Sequence, residues 1–284
     1  MIRLQKQFPT IYLAVYCNKM MNIQVVVFSI LLILTLLSSI SGYGQLTVGP
    51  VAGFRYGKVI YDDRYSGEPL DVRWKPDYSA GLVVNYAASD LMALNAELLY
   101  GQRGKKVFSQ TAVELSHITG RYQFLEVPAL LQFRVLQPGS ARTWFINVGP
   151  RASYWLGGEG EVVAYQSGGR EGTFELPYTI NFKGRTAPAR NQLSISSPKP
   201  LQFSIDVGFG SYWKYRKNRS IMAEIRASYF TTFLAEDGAV PIGISGFNDY
   251  FLFRSLYLEF RMAYLFNLDL HELMRGKSRG APRY

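Results

Sequence analysis

Three short groupings of polar residues in this chain have the types that can do covalent or binding chemistry. Glu114, Ser116 and His117 bring a carboxylate, a hydroxyl and an imidazole together, the inventory of a hydrolase or acyltransferase. Ser116 and His117 are adjacent, however, and neighbouring side chains diverge from the backbone, so the two are poorly placed to share the hydrogen bond of a triad. The other histidine, His271, stands far along the chain. Glu97 and Glu126 could form an acid pair, and Gly101-Gln102-Arg103-Gly104-Lys105-Lys106 has the glycine and positive charge of a phosphate cradle. That run lacks the following helix a cradle requires. No segment has metal-ligand spacing, and the single cysteine, Cys17, lies in an N-terminal leader. No catalytic, cofactor-binding or metal residue is assigned, and the chain reads as a non-enzyme.

A larger set of charges has a different character. Arg55, Glu97, Glu126, Arg151, Asp206, Glu224, Arg226, Glu259 and Arg261 each interrupt an otherwise apolar segment. Mixed charges so placed point to ion pairing in an interior, because buried charge persists only when paired or wet.

The elements that must position them are strands. From Leu256 to Phe266, Leu258, Phe260 and Met262 share one face while Glu259 and Arg261 share the other, since successive side chains on a strand point to opposite sides. The same alternation recurs in Leu46–Tyr61, Asp77–Tyr86, Leu91–Lys106, Arg121–Leu136, a segment beginning at Thr143, Leu201–Tyr215 and Ser220–Leu234. Short connections such as Ala87–Asp90, Gln137–Ser140 and Arg216–Arg219 alternate with long ones such as 166–200. The expectation is an all-β fold: an eight-stranded antiparallel up-and-down transmembrane β-barrel with short periplasmic turns and long outer loops. A soluble β-sandwich would explain poorly why so many charges sit mid-strand opposite a uniformly large apolar face. A hairpin from 172–182 could raise the strand number to ten.

Aromatic residues on the oily face supply a second test, since they collect at the two membrane interfaces. Trp144 and Tyr154 stand at opposite ends of one strand; ten residues at about 3.3 Å, tilted by about 40°, give roughly 25 Å of apolar height. The same threading assigns Tyr86, Phe133, Tyr212 and Phe266 to the periplasmic rim and Tyr100 and Tyr229 to the outer rim.

The ends and the charge set the compartment. Val25–Leu37 is an apolar run followed by Gly42-Tyr43-Gly44, so residues 1–44 are read as a leader with a cleavable signal peptide, 45–267 as the barrel and 268–284 as a basic periplasmic tail with a short helix. The net charge is +10; of the 31 basic residues three lie in the leader, leaving 28 against 21 acidic, or +7. In an exported chain that excess speaks for anionic lipid and against nucleic acid. Outer-membrane lipid and lipopolysaccharide are the expected partners, with Arg103, Lys105 and Lys106 near headgroup phosphate, alongside a periplasmic or outer-membrane protein.

The segment Phe124-Leu125-Glu126-Val127-Pro128-Ala129-Leu130-Leu131 resembles the Y-L-E-I-P-L-L-L strand of the PorT-like outer-membrane β-barrel family. Leu94-Asn95-Ala96-Glu97-Leu98-Leu99-Tyr100, followed by Gly104, and Asn147-Val148-Gly149-Pro150 match in similar order and spacing. The resemblance covers essentially the whole chain after the leader. It implies an eight-stranded outer-membrane barrel, and a role in type IX secretion for the name-giving member, whereas most relatives have no assigned activity. The function expected is structural or interactive, within a secretion or envelope assembly. A narrow solute pore and a lipid-modifying enzyme are the alternatives.

Overall fold

Alternating β-branched, aromatic and polar residues favour extended backbone, and the chain forms strands almost throughout. The computed structural model describes residues 45–62, 70–109, 116–135, 142–166, 172–180, 192–193, 198–216, 218–235, 242–244, 247–249 and 251–268. The leader, the expected turn at Gln137–Ser140 and the tail beyond Leu268, with its expected helix, lie outside the described residues.

The strands are β1 (Gln45–Tyr61), β2 (Leu70–Arg73), β3 (Lys75–Ala87), β4 (Met92–Ser109), β5 (His117–Val135), β6 (Arg142–Gln166), β7 (Gly172–Ile180), β8 (Gln192–Leu193), β9 (Leu201–Arg216), β10 (Arg219–Phe230), β11 (Ile242–Ile244), β12 (Phe247–Asp249) and β13 (Phe253–Leu268). Eight of them close a ring in the order β1-β3-β4-β5-β6-β9-β10-β13, every neighbour antiparallel, with β1 returning to β13 through Phe54 opposite Phe260 and Arg55 opposite Glu259. Closure leaves the ring no unpaired edge, which a bilayer without water would penalise heavily.

The segment after 172 does not widen the ring to ten. β9 pairs with β6 only over Arg142–Tyr154, and β7 pairs with the continuation of β6 over Gly158–Gln166. The β6–β7 hairpin therefore extends beyond the ring at the end carrying the long connections. β2 likewise pairs with the upper end of β4, over Lys106–Ser109. His117, expected in a loop, is the first residue of β5; its ring stacks on that of Phe108 with centroids 5.2 Å apart, because β4 and β5 stay paired that far.

The two faces invert the arrangement of a water-soluble sheet. Leu82, Ile205, Phe209, Leu258, Phe260 and Met262 are at least half exposed on the outside, while Arg226 and Arg261 have no exposure. An apolar exterior around a polar interior requires a hydrocarbon solvent. Inside, two apolar clusters bracket the charged layer. Val51, Val83, Leu99, Phe145, Met222, Ala263 and Leu265 pack toward the end with the short turns. Tyr122, Phe124, Trp155, Tyr178, Phe251 and Phe253 pack at the other, joined by Leu234 and Ala235 from the described start of the β10–β13 connection, which is inserted into the mouth. Leu234, expected to end a strand, belongs to this inserted connection, since β10 stops at Phe230.

Phe260→Lys would place a charge in the middle of the apolar belt, where such substitutions cost about 2–4 kcal/mol. Urea unfolding in lipid vesicles should show a loss of that size, and an unchanged midpoint would contradict the membrane-facing assignment.

Candidate functional site

The candidate site is the polar layer between the two clusters, built by side chains at alternate positions of the ring strands. At its centre Glu126 of β5 accepts hydrogen bonds from three guanidiniums. Arg55 of β1 donates from Nη1 and Nη2 at 3.0 and 2.6 Å, Arg103 of β4 from Nε and Nη2 at 3.0 and 2.7 Å, and Arg151 of β6 from Nη1 at 2.7 Å. Arg151 reaches Asp206 through Nε at 2.8 Å, and Arg55 Nε lies 3.1 Å from Glu259, which also accepts from Ser79. Arg103 continues to Gln202 at 3.0 Å and to Ser153 at 2.6 Å.

A second knot lies beside the first. Arg226 and Arg261 both fork onto Glu97, at 2.9–3.1 Å and 2.6–2.9 Å, and Arg226 also holds Glu224 at 2.9 Å through two nitrogens. Arg226 lies 3.8 Å from Asp206 and Arg261 lies 3.8 Å from Glu259, so the knots are linked. Arg55, Arg103, Arg151, Arg226 and Arg261 thus face Glu97, Glu126, Asp206, Glu224 and Glu259, charge for charge. Bidentate guanidinium–carboxylate geometry is the strong form of this interaction, and its balance offsets the cost of removing the ions from water.

Room for these head groups comes from missing side chains. A Cβ on Gly101 would strike the Arg55 guanidinium, one on Gly208 would strike Glu224 and one on Gly53 would strike Glu259. Toward the short turns the layer grades into neutral bonds: Asn147 donates to Glu224 at 3.0 Å, Gln132 donates to Asn147 at 3.1 Å and to the Tyr212 hydroxyl at 2.8 Å, and Asn85 donates to Gln132 at 3.1 Å.

Tyr212 is a correction. Aromatic character places it in the lipid-facing periplasmic girdle, but its hydroxyl joins this interior network and its ring packs 4.6 Å from that of Phe145. The two-residue period groups position 212 with Ser204, Asp206, Gly208 and Gly210, all inward. Tyr86, Tyr100, Phe133, Trp144, Tyr154, Tyr229 and Phe266 do lie on the outward face, half-buried or exposed.

Arg103 and Lys105 are corrections as well. Both were expected near lipid phosphate, yet both are buried inside. Arg103 is clasped between the rings of Phe124 and Phe230 at 3.9 and 3.7 Å, and the Lys105 ammonium lies 4.6 and 4.8 Å from the centroids of Phe251 and Phe253. These cation–π contacts join the charged layer to the outer aromatic cluster. The signal was present in sequence, since Arg103 and Lys105 share the parity of Glu97; glycine and basic composition obscured it. Asp77, also missed, accepts the Gly104 amide at 2.5 Å.

The outer cluster seals its end of the lumen. Tyr122 and Tyr178 approach hydroxyl to hydroxyl at 3.3 Å, and burial pushes Tyr178, above the membrane-spanning part, up to about 12. Phe251 holds a left-handed backbone, φ 55°, a costly conformation for a bulky residue. Rings of Tyr122, Trp155 and Phe253 pack around it at centroid distances of 5.8–6.3 Å. Among the described residues no group of histidine, cysteine and carboxylate side chains has the arrangement of a metal site.

An interior so polar inside an exterior so apolar is the arrangement of a membrane barrel, and a family model described as outer membrane protein beta-barrel domain matches residues 38–229. The chain belongs to this outer-membrane β-barrel family. Membership assigns the protein to the outer membrane. Solved structures with similar architecture include OprG from Pseudomonas aeruginosa, with 11% identity over 79% of this chain and 96% of that one at a TM-score of 0.42. Ail of Yersinia pestis, crystallised with the heparin analogue sucrose octasulfate, has 12% identity over 78% and 99% of the two chains at 0.34. Neisserial surface protein A has 10% over 78% and 98% at 0.36. No curated protein matches the chain.

Glu126→Gln would leave three guanidiniums around a neutral amide, and breaking a buried pair typically costs about 3–5 kcal/mol. Tyr212→Phe should cost about 1 kcal/mol through its hydrogen bonds with Gln132. Equilibrium unfolding reads both; no effect of Tyr212→Phe would favour a lipid-facing ring.

Proposed function

We propose that this outer-membrane barrel is a closed, non-catalytic platform that holds an outer extension above the bilayer for contact with a protein or with lipopolysaccharide. The observation that carries the reading is the filled lumen: paired ions spanning its middle between two apolar clusters. A conducting eight-stranded barrel would need a wet, charge-lined path, whereas these groups are buried and mutually neutralised. Against the enzyme reading stands the setting of His117, whose ring is stacked on that of Phe108 at a strand end, with centroids 5.2 Å apart.

Support for the platform comes from the strands that continue past the apolar belt: the upper parts of β4, β5 and β6, together with β2 and β7. Near the same end Lys58 lies over the Trp74 ring, itself stacked on Tyr56, while Arg73 and Lys106 approach the Phe108 ring. Cations set among interfacial aromatics suit the phosphorylated headgroups of lipopolysaccharide. In the PorT-like resemblance this platform would serve a protein-secretion or envelope assembly.

Planar-bilayer recordings of the purified chain are expected to show no sustained conductance; reproducible openings altered by Glu224→Gln or Arg261→Gln would sink the closed-barrel reading. Replacing Lys58 and Lys106 with Gln should lower lipopolysaccharide co-purification several-fold while leaving heat-modifiable gel mobility unchanged. Equal recovery would remove lipopolysaccharide from the proposal.

A further inference from the structure

The end of the barrel with the short turns opens into a cavity of about 190 Å³ whose lining includes Arg134, Lys214, Arg216 and Arg219, with Asp90 the only carboxylate among the described lining residues. We infer that this periplasmic vestibule is a binding site for a phosphate group, independent of the proposed platform role.

The site is blind. Tyr212 and Leu265 line it and also pack in the inner apolar cluster, so a ligand enters from the periplasm and stops there. Its cations come from different elements. Arg134, at the end of β5, is held by Nη2 donating to Asn85 at 2.6 Å and Nε to Gln132 at 3.2 Å, bonds that do not use Nη1. Lys214 stands near the end of β9 on the same face as Tyr212, opposite Ser220, and Arg216 follows across a register shift at the rim. Arg219 opens β10 directly opposite Arg216 in the ladder and lines the rim, its Nη1 donating to the Tyr264 hydroxyl at 3.3 Å.

The convergence of Arg134, Lys214, Arg216 and Arg219 on one cavity, against the single carboxylate Asp90 among its described lining, carries the inference. Like charges directly opposed on neighbouring strands repel, and the hairpin offers this pair no carboxylate within its own turn, Arg216-Lys217-Asn218-Arg219. The charged layer of the lumen matches five arginines to five carboxylates, so the excess here departs from the pattern of the interior. A dianionic oxyanion would relieve the repulsion and accept hydrogen bonds from several guanidinium nitrogens at once. Thr47, Asn85 and Asn267 add neutral polar groups to the wall. The volume suits a phosphate group, not a polypeptide segment, and the source is either a free phosphate compound or a phospholipid headgroup.

The test is titration calorimetry on the full chain folded in detergent, at constant ionic strength, with inorganic phosphate, glycerol 3-phosphate, a short-chain phosphatidylglycerol and acetate. Saturable one-to-one binding of at least one phosphate compound, about tenfold tighter than acetate, is expected, and the compound that binds identifies the source as free or lipid-borne. Arg216→Gln and Lys214→Gln, both exposed, should each weaken binding several-fold with unchanged heat-modifiable mobility, whereas Lys199→Gln, just before β9 at the opposite end, should not. Absence of saturable heat, equal affinity for acetate, or indifference to Arg216→Gln would overturn the assignment.

Discussion

Glu126 and the three guanidiniums around it are the interaction on which the rest of the barrel depends. A single carboxylate holding Arg55, Arg103 and Arg151 ties β1, β4, β5 and β6 together across the lumen, between strands that in several cases are not neighbours in the ring. In a low-dielectric interior such a charge is intolerable alone and strongly ordering when saturated. Everything nearby follows: glycines where the head groups pass, serines and amides where a spare nitrogen needs an acceptor, and a second knot on Glu97 that completes the neutrality. Backbone hydrogen bonds close the ring, but this lattice decides what the ring encloses.

The lattice also explains why the proposed partner contacts are placed at the ends. Its middle is filled by buried ions that pair with one another. At the outer end Arg103 and Lys105 hand over from ion pairs to aromatic rings, and the folded-in β10–β13 connection completes the seal. At the other end the network thins through Gln132 and Tyr212 into an open, positively charged vestibule. The two mouths of one barrel therefore differ in chemistry: aromatic and sealed outside, cationic and open toward the periplasm.

Most of the fold was legible because side-chain direction on a strand is a local property with a period of two. Parity alone separates Phe260 from Glu259 and Leu125 from Glu126, and it groups Arg103 and Lys105 with Glu97. The errors arose where another consideration displaced parity: aromatic character at Tyr212, and glycine-rich basic composition at Arg103 and Lys105. Other features were beyond any local rule. A register shift near Gly157, where φ is 150°, changes which residues of β6 face inward, so that Trp155 and Val162 are both buried.

The sequence by itself determined that the chain is a ring of strands with an oily outside and a charged inside, since alternation, turn residues and strand number are all carried by neighbouring positions. Only the tertiary structure decided which arginine meets which carboxylate, that Phe251 folds back into the mouth, and that Arg216 and Arg219 stand opposed with Arg134 across the vestibule. Those facts depend on strand stagger around a closed ring and on the path of a long connection. Both are set by contacts between residues far apart in sequence, where no local period reaches.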